Sequence, residues 1–339
     1  MKKIISYIPG VALAFFIAIL AKSIENLLPI PLISASVLAL FIGMGFNIFR
    51  KEKDTFSKGV GFTGKKVLRI AIVLLGASLN VATILNVGRL SLAVMIFTLL
   101  TCFGGGYFVG RALGLNWKLS NLISAGTGIC GGSAIAAISP VIEAEDKDIA
   151  YAMSATFLFD MAMIILFPIM GHALGLDDMA YGLWAGTAVN DTSSVVAAGY
   201  AFSEGAGDFA TMVKLTRTLV IIPTVIVFAM ISNRLKRKEN VEGEVKYSIT
   251  NIFPWFILGF LAMAALNSLG VFTPELSGFL KDCSKFFMVA ALAAIGLKTN
   301  FGELKQSGFA PMVHGFIISA LVVIVAIGVE IALGIAVIS

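Results

Sequence analysis

Apolar runs bounded by charge clusters or turn residues recur along the chain, at about 6–27, 31–49, 67–87, 90–114, 118–141, 149–173, 178–202, 208–232, 251–270, 279–299 and 307–337. A helix needs about 20 apolar residues to cross the hydrocarbon core of a bilayer. The pattern therefore predicts an all-α polytopic membrane protein with about eleven hydrophobic segments. No linker or low-complexity stretch separates the runs, so residues 1–339 read as a single membrane domain.

Composition narrows the picture further. Hydrophobic residues make up 58% of the 339 positions and charged residues 13%, against about 25% charge in a soluble domain. Nucleic-acid binding and any large extramembrane catalytic domain are excluded. The net charge of +5 has a topological meaning, because basic residues gather in two loops. One holds Arg50, Lys51, Lys53, Lys58, Lys65 and Lys66; the other holds Arg234, Lys236, Arg237, Lys238 and Lys246. The positive-inside rule puts both loops in the cytoplasm with the N-terminus, and counting crossings puts the C-terminus outside. Met1-Lys2-Lys3 and the run after them read as a first spanning helix that stays attached. Cys102, Cys130 and Cys283 form no CxxC or CxxH spacing, so neither a disulfide framework, a metal site nor a cofactor is expected.

One internal repeat is visible. Ala125-Gly126-Thr127 matches Ala185-Gly186-Thr187 at an offset of 60, and Ser133/Ser193, Ala137/Ala197, Asp148/Asp208, Ala150/Ala210 and Thr156/Thr216 keep the same offset. The repeat units are about 118–173 and 178–232, each an interrupted apolar segment, a short acidic turn and a full helix. If both interrupted segments cross the bilayer, the copies point the same way. If both turn back near mid-membrane, with arms of roughly 15 Å, one crossing separates them and the copies are inverted. Inverted repeats meeting at mid-depth are a common transporter plan, and this arrangement is the expected one.

The interruptions carry the candidate chemistry. Gly126-Thr127-Gly128-Ile129-Cys130-Gly131-Gly132-Ser133 holds four glycines in seven residues, each costing about 1 kcal/mol relative to alanine inside a helix. A helix resuming there would turn free amides toward mid-depth, which attracts an anion; close helix packing through small residues is the structural alternative. In the second copy, Asn190-Asp191-Thr192-Ser193-Ser194 are five consecutive polar residues inside an apolar run. An aspartate at the centre of a span costs about 2.5–3.5 kcal/mol and is functional by default, unless Asp191 is an N-cap at the surface. Asp160 is a second internal carboxylate. Lys214 and Arg217 share one face of the following helix, where Arg217 is placed to neutralise Asp191, Asp160 or an anion. Lys298 with Asn300, Glu330, His172 and His314 are weaker candidates, near helix ends or single.

These residues suggest a substrate site in which Thr127, Gly131, Gly132, Ser133, Asn190, Thr192 and Ser193 hold a small oxyanion. Arg217 and Lys214 supply positive charge, and Asp191 with Asp160 couples a proton or sodium ion. The phrases GTGICGGSAIAA at 126–137, GTAVNDTSSVVAAG at 186–199 and VKLTRTLVIIP at 213–223 resemble the YeiH-type family of bacterial inner-membrane proteins, whose usual label is sulfate exporter. The likeness covers essentially the whole chain. It implies the wider cation/proton antiporter and bile-acid symporter superfamily, with an inverted-repeat core and sulfate-like export. Asn190 stands where histidine is common in that family, so a proton role does not carry over to that position. Two other functions compete: a sodium/proton antiporter using Asp160 and Asp191, and an intramembrane hydrolase with Ser133 or Cys130 as nucleophile and His172 or His314 as base. The hydrolase fares worst, since His172 lies near the end of its span, and a non-enzyme is expected. The expected partners are a small anion and the lipid bilayer, and a homo-oligomer stays open.

Overall fold

A computed structural model describes residues 6–27, 35–49, 54–238, 253–298 and 308–336. Met1, Lys2, Lys3, Arg50, Lys51, Lys53, Lys246 and Asn300 lie outside them. Every regular element among the described residues is helical, as a lipid environment demands when backbone groups must be satisfied within the segment. In chain order the first helices are α1 (Ile8–Leu27), α2 (Ala35–Phe49), α3 (Asp54–Phe62), α4 (Leu68–Leu75), α5 (Val81–Leu100), α6 (Gly106–Ala112), α7 (Trp117–Ala125) and α8 (Gly132–Ile138). They are followed by α9 (Asp146–Ala173), α10 (Asp178–Ala188), α11 (Thr192–Phe202), α12 (Glu204–Leu219), α13 (Ile221–Lys238), α14 (Trp255–Ser268), α15 (Pro274–Lys298) and α16 (Phe309–Ala332).

Five stretches among the described residues are long and apolar enough to cross a membrane: Ile8–Leu27, Val81–Ala112, Asp146–Ala173, Glu204–Leu235 and Phe309–Ala332. Leu38–Asn47 and Trp255–Ser268 are shorter apolar helices. The protein is thus an all-helical, multi-pass membrane protein. The segments at 118–141 and 178–202, expected to be interrupted, are each two short helices.

The chain divides into two compact units, residues 1–86 with 255–301 and residues 87–254 with 302–339. The first packs through small side chains. Ala14, Ala18, Ala21, Ala39, Ala290 and Ala293 are buried together, and a methyl group on Gly43 of α2 or Gly296 of α15 would strike the other helix's backbone. Such contacts let apolar helices approach closely where lipid leaves little hydrophobic driving force.

The second unit contains two helical hairpins. In the first, α7 begins beside the chain that leaves α8: Asn116 Nδ2 donates to Asp148 Oδ2 (3.0 Å) and Lys118 Nζ to the carbonyl of Glu143 (2.7 Å). In the second, α10 begins where α11 ends. Tyr181 stacks on Phe202 at 3.9 Å between centroids, its hydroxyl donates to the Ala198 carbonyl (2.9 Å), and Ser203 Oγ donates to Asp178 Oδ1 (2.6 Å). Each arm of the second hairpin has 11 residues, about 16 Å of helix. The long helix α9 joins the hairpins and packs against both. Asp148 near its N-terminal end touches the base of the first hairpin, and His172 near its C-terminal end stacks on Phe202 at the base of the second.

Candidate functional site

The tip of the first hairpin follows from its glycines. Asn116 caps α7 by accepting from the amide of Leu119 (2.8 Å). The helix then widens into a π turn over Gly126–Cys130 and breaks at Gly131, whose φ of 62° and ψ of −136° suit only a residue without a β-carbon. The second tip forms differently. Asp177 caps α10 through the amide of Ala180 (2.7 Å), and the helix ends at Ala188 with Val189 extended. Asp191 then caps α11, accepting from the amide of Ser193 (2.9 Å) and from its hydroxyl. Asp191 is an N-cap, and it is also half-buried and pressed on the first tip. A β-carbon on Gly131 would lie 2.9 Å from Asp191 Cβ and 3.0 Å from Oδ1.

Breaking two helices frees carbonyls at their C-terminal ends and amides at the N-terminus of the helix that resumes. The charged residues of the unit meet these groups. Lys214 Nζ donates to the carbonyls of Ile129 (2.9 Å), Val189 (3.0 Å) and Asn190. Arg217 donates from Nε to Gly128 (2.7 Å), from Nη1 to Val189 (3.1 Å) and from Nη2 to Thr127. Both side chains are fully buried. The two cations therefore sit on the negative dipole ends of α7 with its π turn and of α10, and each ties one tip to the other. Asp160, buried on α9, accepts from the amides of Asn190 (3.0 Å) and Asp191 (3.2 Å). Two carboxylates and two cations thus balance the ends of the broken helices within one cluster.

The structure accordingly gathers Thr127, Gly131, Asp160, Asn190, Asp191, Lys214 and Arg217 at the crossing of the tips. Arg217 turns these donors to backbone carbonyls, not to Asp160 or Asp191. Gly132, Thr192 and Ser193 are half-buried at the rim, and Ser133 is exposed. Thr127 Oγ1 and Asn190 Oδ1, inside the cluster, have no hydrogen-bond partner among the described residues. Ser319 of α16 was not visible as a site residue from sequence; its hydroxyl receives Asn190 Nδ2 at 3.4 Å. The only sign in the sequence is a serine inside a very apolar run. The other candidates stand apart. His314 Nε2 lies 3.0 Å from the Gly106 carbonyl and 3.2 Å from Ser120 Oγ, His172 stacks on Phe202, and Lys298 ends α15 in the other unit. Among the described residues no group of three His, Cys, Asp or Glu side chains is arranged to hold a metal ion.

Fold and site define a multi-pass helical membrane protein in which Asp160, Asp191, Lys214 and Arg217 gather where two broken helices meet. The chain belongs to the UPF0324 membrane protein family: the family model described as conserved hypothetical protein 698 matches residues 9–315. The UPF0324 membrane protein of Clostridium tetani is 56% identical over 337 residues, covering 97% of this chain and 98% of its own length. A UPF0324 membrane protein of Streptococcus pyogenes serotype M18 is 39% identical over 336 residues (97% and 98%), and one of Fusobacterium nucleatum 38% over 346 (96% and 98%). This is the YeiH-type family that the motifs resemble.

Proposed function

We propose that the protein is a secondary transporter whose two hairpins are re-entrant, reach mid-depth from opposite faces of the bacterial inner membrane, and form an inverted repeat around a substrate site at their tips. A single long helix, α9, lies between the hairpins, as inversion requires. Positions 60 apart support the duplication: Gly131 and Asp191 are equivalent and meet. Gly126 and Gly186, also 60 apart, each pack on the helix that follows their own hairpin, at Thr156 of α9 and Val213 of α12. With both hairpins returning to their own faces, the two basic stretches, with Lys58 in α3 and Arg234 in α13 and not in loops, stay cytoplasmic and the C-terminus lies outside.

The observation that carries the substrate reading is the position of Asp191. Its carboxylate sits on the N-terminus of α11 and against Gly131, where α8 begins. That is where a bound anion would gain most from helix ends, so ionised Asp191 occupies the place itself. Protonation of Asp191 vacates it electrostatically for a small oxyanion, of which sulfate is the type, with the hydroxyls of Ser133, Thr192 and Ser193 at the rim. Proton and oxyanion then share one site, and export is helped by the inside-negative potential, about 2.3 kcal/mol per charge per 100 mV. Engagement of His172 and His314 elsewhere supports transport over hydrolysis.

A second reading, sodium/proton antiport through Asp160 and Asp191, draws support from the same cluster, because both cations are already compensated by carbonyls. Thermal unfolding of purified wild type and Asp191→Asn with sulfate, sulfite, thiosulfate, taurine, acetate or sodium separates the two. A ligand at 100 times its Kd adds about 2.7 kcal/mol of stability. Tighter, pH-independent oxyanion binding by Asp191→Asn is expected. Stabilisation of wild type by sodium alone, lost in Asp191→Asn, would sink the oxyanion and establish the antiporter.

A further inference from the structure

Helix α16 is the most apolar of the five long helices. Its polar side chains are His314, Ser319 and Glu330, all fully buried. Ser319 meets Asn190, and His314 meets Ser120 and Gly106 through Nε2 while its Nδ1 has no partner among the described residues. Glu330 has no such contact: neither Oε1 nor Oε2 has a hydrogen-bond partner among the described residues. It follows Ser319 by eleven residues, about 16 Å along the axis, and so stands well away from Asp160 and Asp191.

Three features act on this carboxyl in the same direction. It is sealed from water, no donor meets it, and it lies in the last turn of its helix. There the amides of Ile335 (2.9 Å) and Ala336 (3.3 Å) return to its own backbone carbonyl, and the dipole end is negative. A carboxylate there would be uncompensated three times over, and an uncompensated buried charge is relieved by neutralisation. Six titratable groups on the helices packed against α16 are engaged elsewhere. Asp160 holds the amides of Asn190 and Asp191, His172 stacks on Phe202, and Asp178 receives Ser203. Asp148 receives Asn116, Lys118 donates to the Glu143 carbonyl, and Arg111 donates to Tyr107.

We propose that Glu330 is a proton-binding site separate from the hairpin tips, a neutral carboxylic acid held inside the membrane-spanning part of α16. The same helix meets the second tip through Ser319, so one element carries the proton at one end and the tip contact near its middle. The proposal does not depend on which ion the tips carry.

Infrared difference spectroscopy on wild type and Glu330→Gln, both in lipid at neutral pH, tests it. The expected difference is loss of a protonated-carboxyl C=O band in Glu330→Gln. Loss of carboxylate bands instead, or a protonated band of equal strength in both proteins, overturns the proposal. A neutral acid needs no counter-charge, so Glu330→Gln and the similarly sized Glu330→Met should both melt with wild type. Failure of both to fold would show that the ion is required there and would likewise overturn it.

Discussion

Adding one methyl group at Gly131 tests the crossing of the tips most directly. Gly131 has φ 62° and ψ −136°, a conformation that costs a non-glycine residue about 1–3 kcal/mol. The new β-carbon would also stand 2.9 Å from Asp191 Cβ, 3.0 Å from its Oδ1 and 3.1 Å from its Cα. Two of these atoms are fixed to the backbone of the other tip and cannot swing aside, so overpacking adds about 1–3 kcal/mol. Gly131→Ala should therefore lose about 2–6 kcal/mol in all. Gly132→Ala is the internal control. Nothing lies within 4 Å of a β-carbon there, and as the first residue of α8 it should gain up to about 1 kcal/mol from better helix propensity. Thermal unfolding of the two purified variants beside wild type is the assay. Asp191→Gly should relieve part of the Gly131→Ala loss by removing two of the three clashing atoms, giving a less than additive double mutant. If Gly131→Ala melts with wild type and Gly132→Ala, the tips do not meet as described.

Lys214→Met should cost about 1–3 kcal/mol for each buried carbonyl left without a donor, because Ile129 and Asn190 lose their lysine contact while Val189 keeps Arg217. Arg217→Lys should still lose about 1.5–3 kcal/mol, since one ammonium cannot reproduce the guanidinium's reach to Thr127, Gly128 and Val189; melting curves check both, and a wild-type Arg217→Lys would refute the carbonyl clamp. The inverted arrangement predicts that Asn116→Cys and Glu145→Cys react with an impermeant thiol reagent from one side of the membrane, and Asp177→Cys and Glu204→Cys from the other. Labelling of all four from one face would rule it out.

The periodic apolar runs and the thin charge were enough to establish helices in a bilayer, because lipid selects segments on side-chain type alone. The two interruptions were equally legible: glycines at 126–132 and five polar residues at 190–194 are costly in an unbroken span, and the offset of 60 pairs them. Which residues meet at the ends of runs 118–141 and 178–202 was not legible, since about 25 apolar residues suit more than one course; the contacts of Tyr181 with Phe202 and of Asn116 with Asp148 appear only in the packed structure. Arg217 shows the deeper reason. From its neighbours along the chain it is a cation available to an anion or a carboxylate, but its partners are backbone carbonyls 28 to 90 positions away. Ser319 meets Asn190 across 129 positions. A helix break creates unsatisfied backbone groups that no residue type records, and only the packing of distant elements determines which side chain answers them.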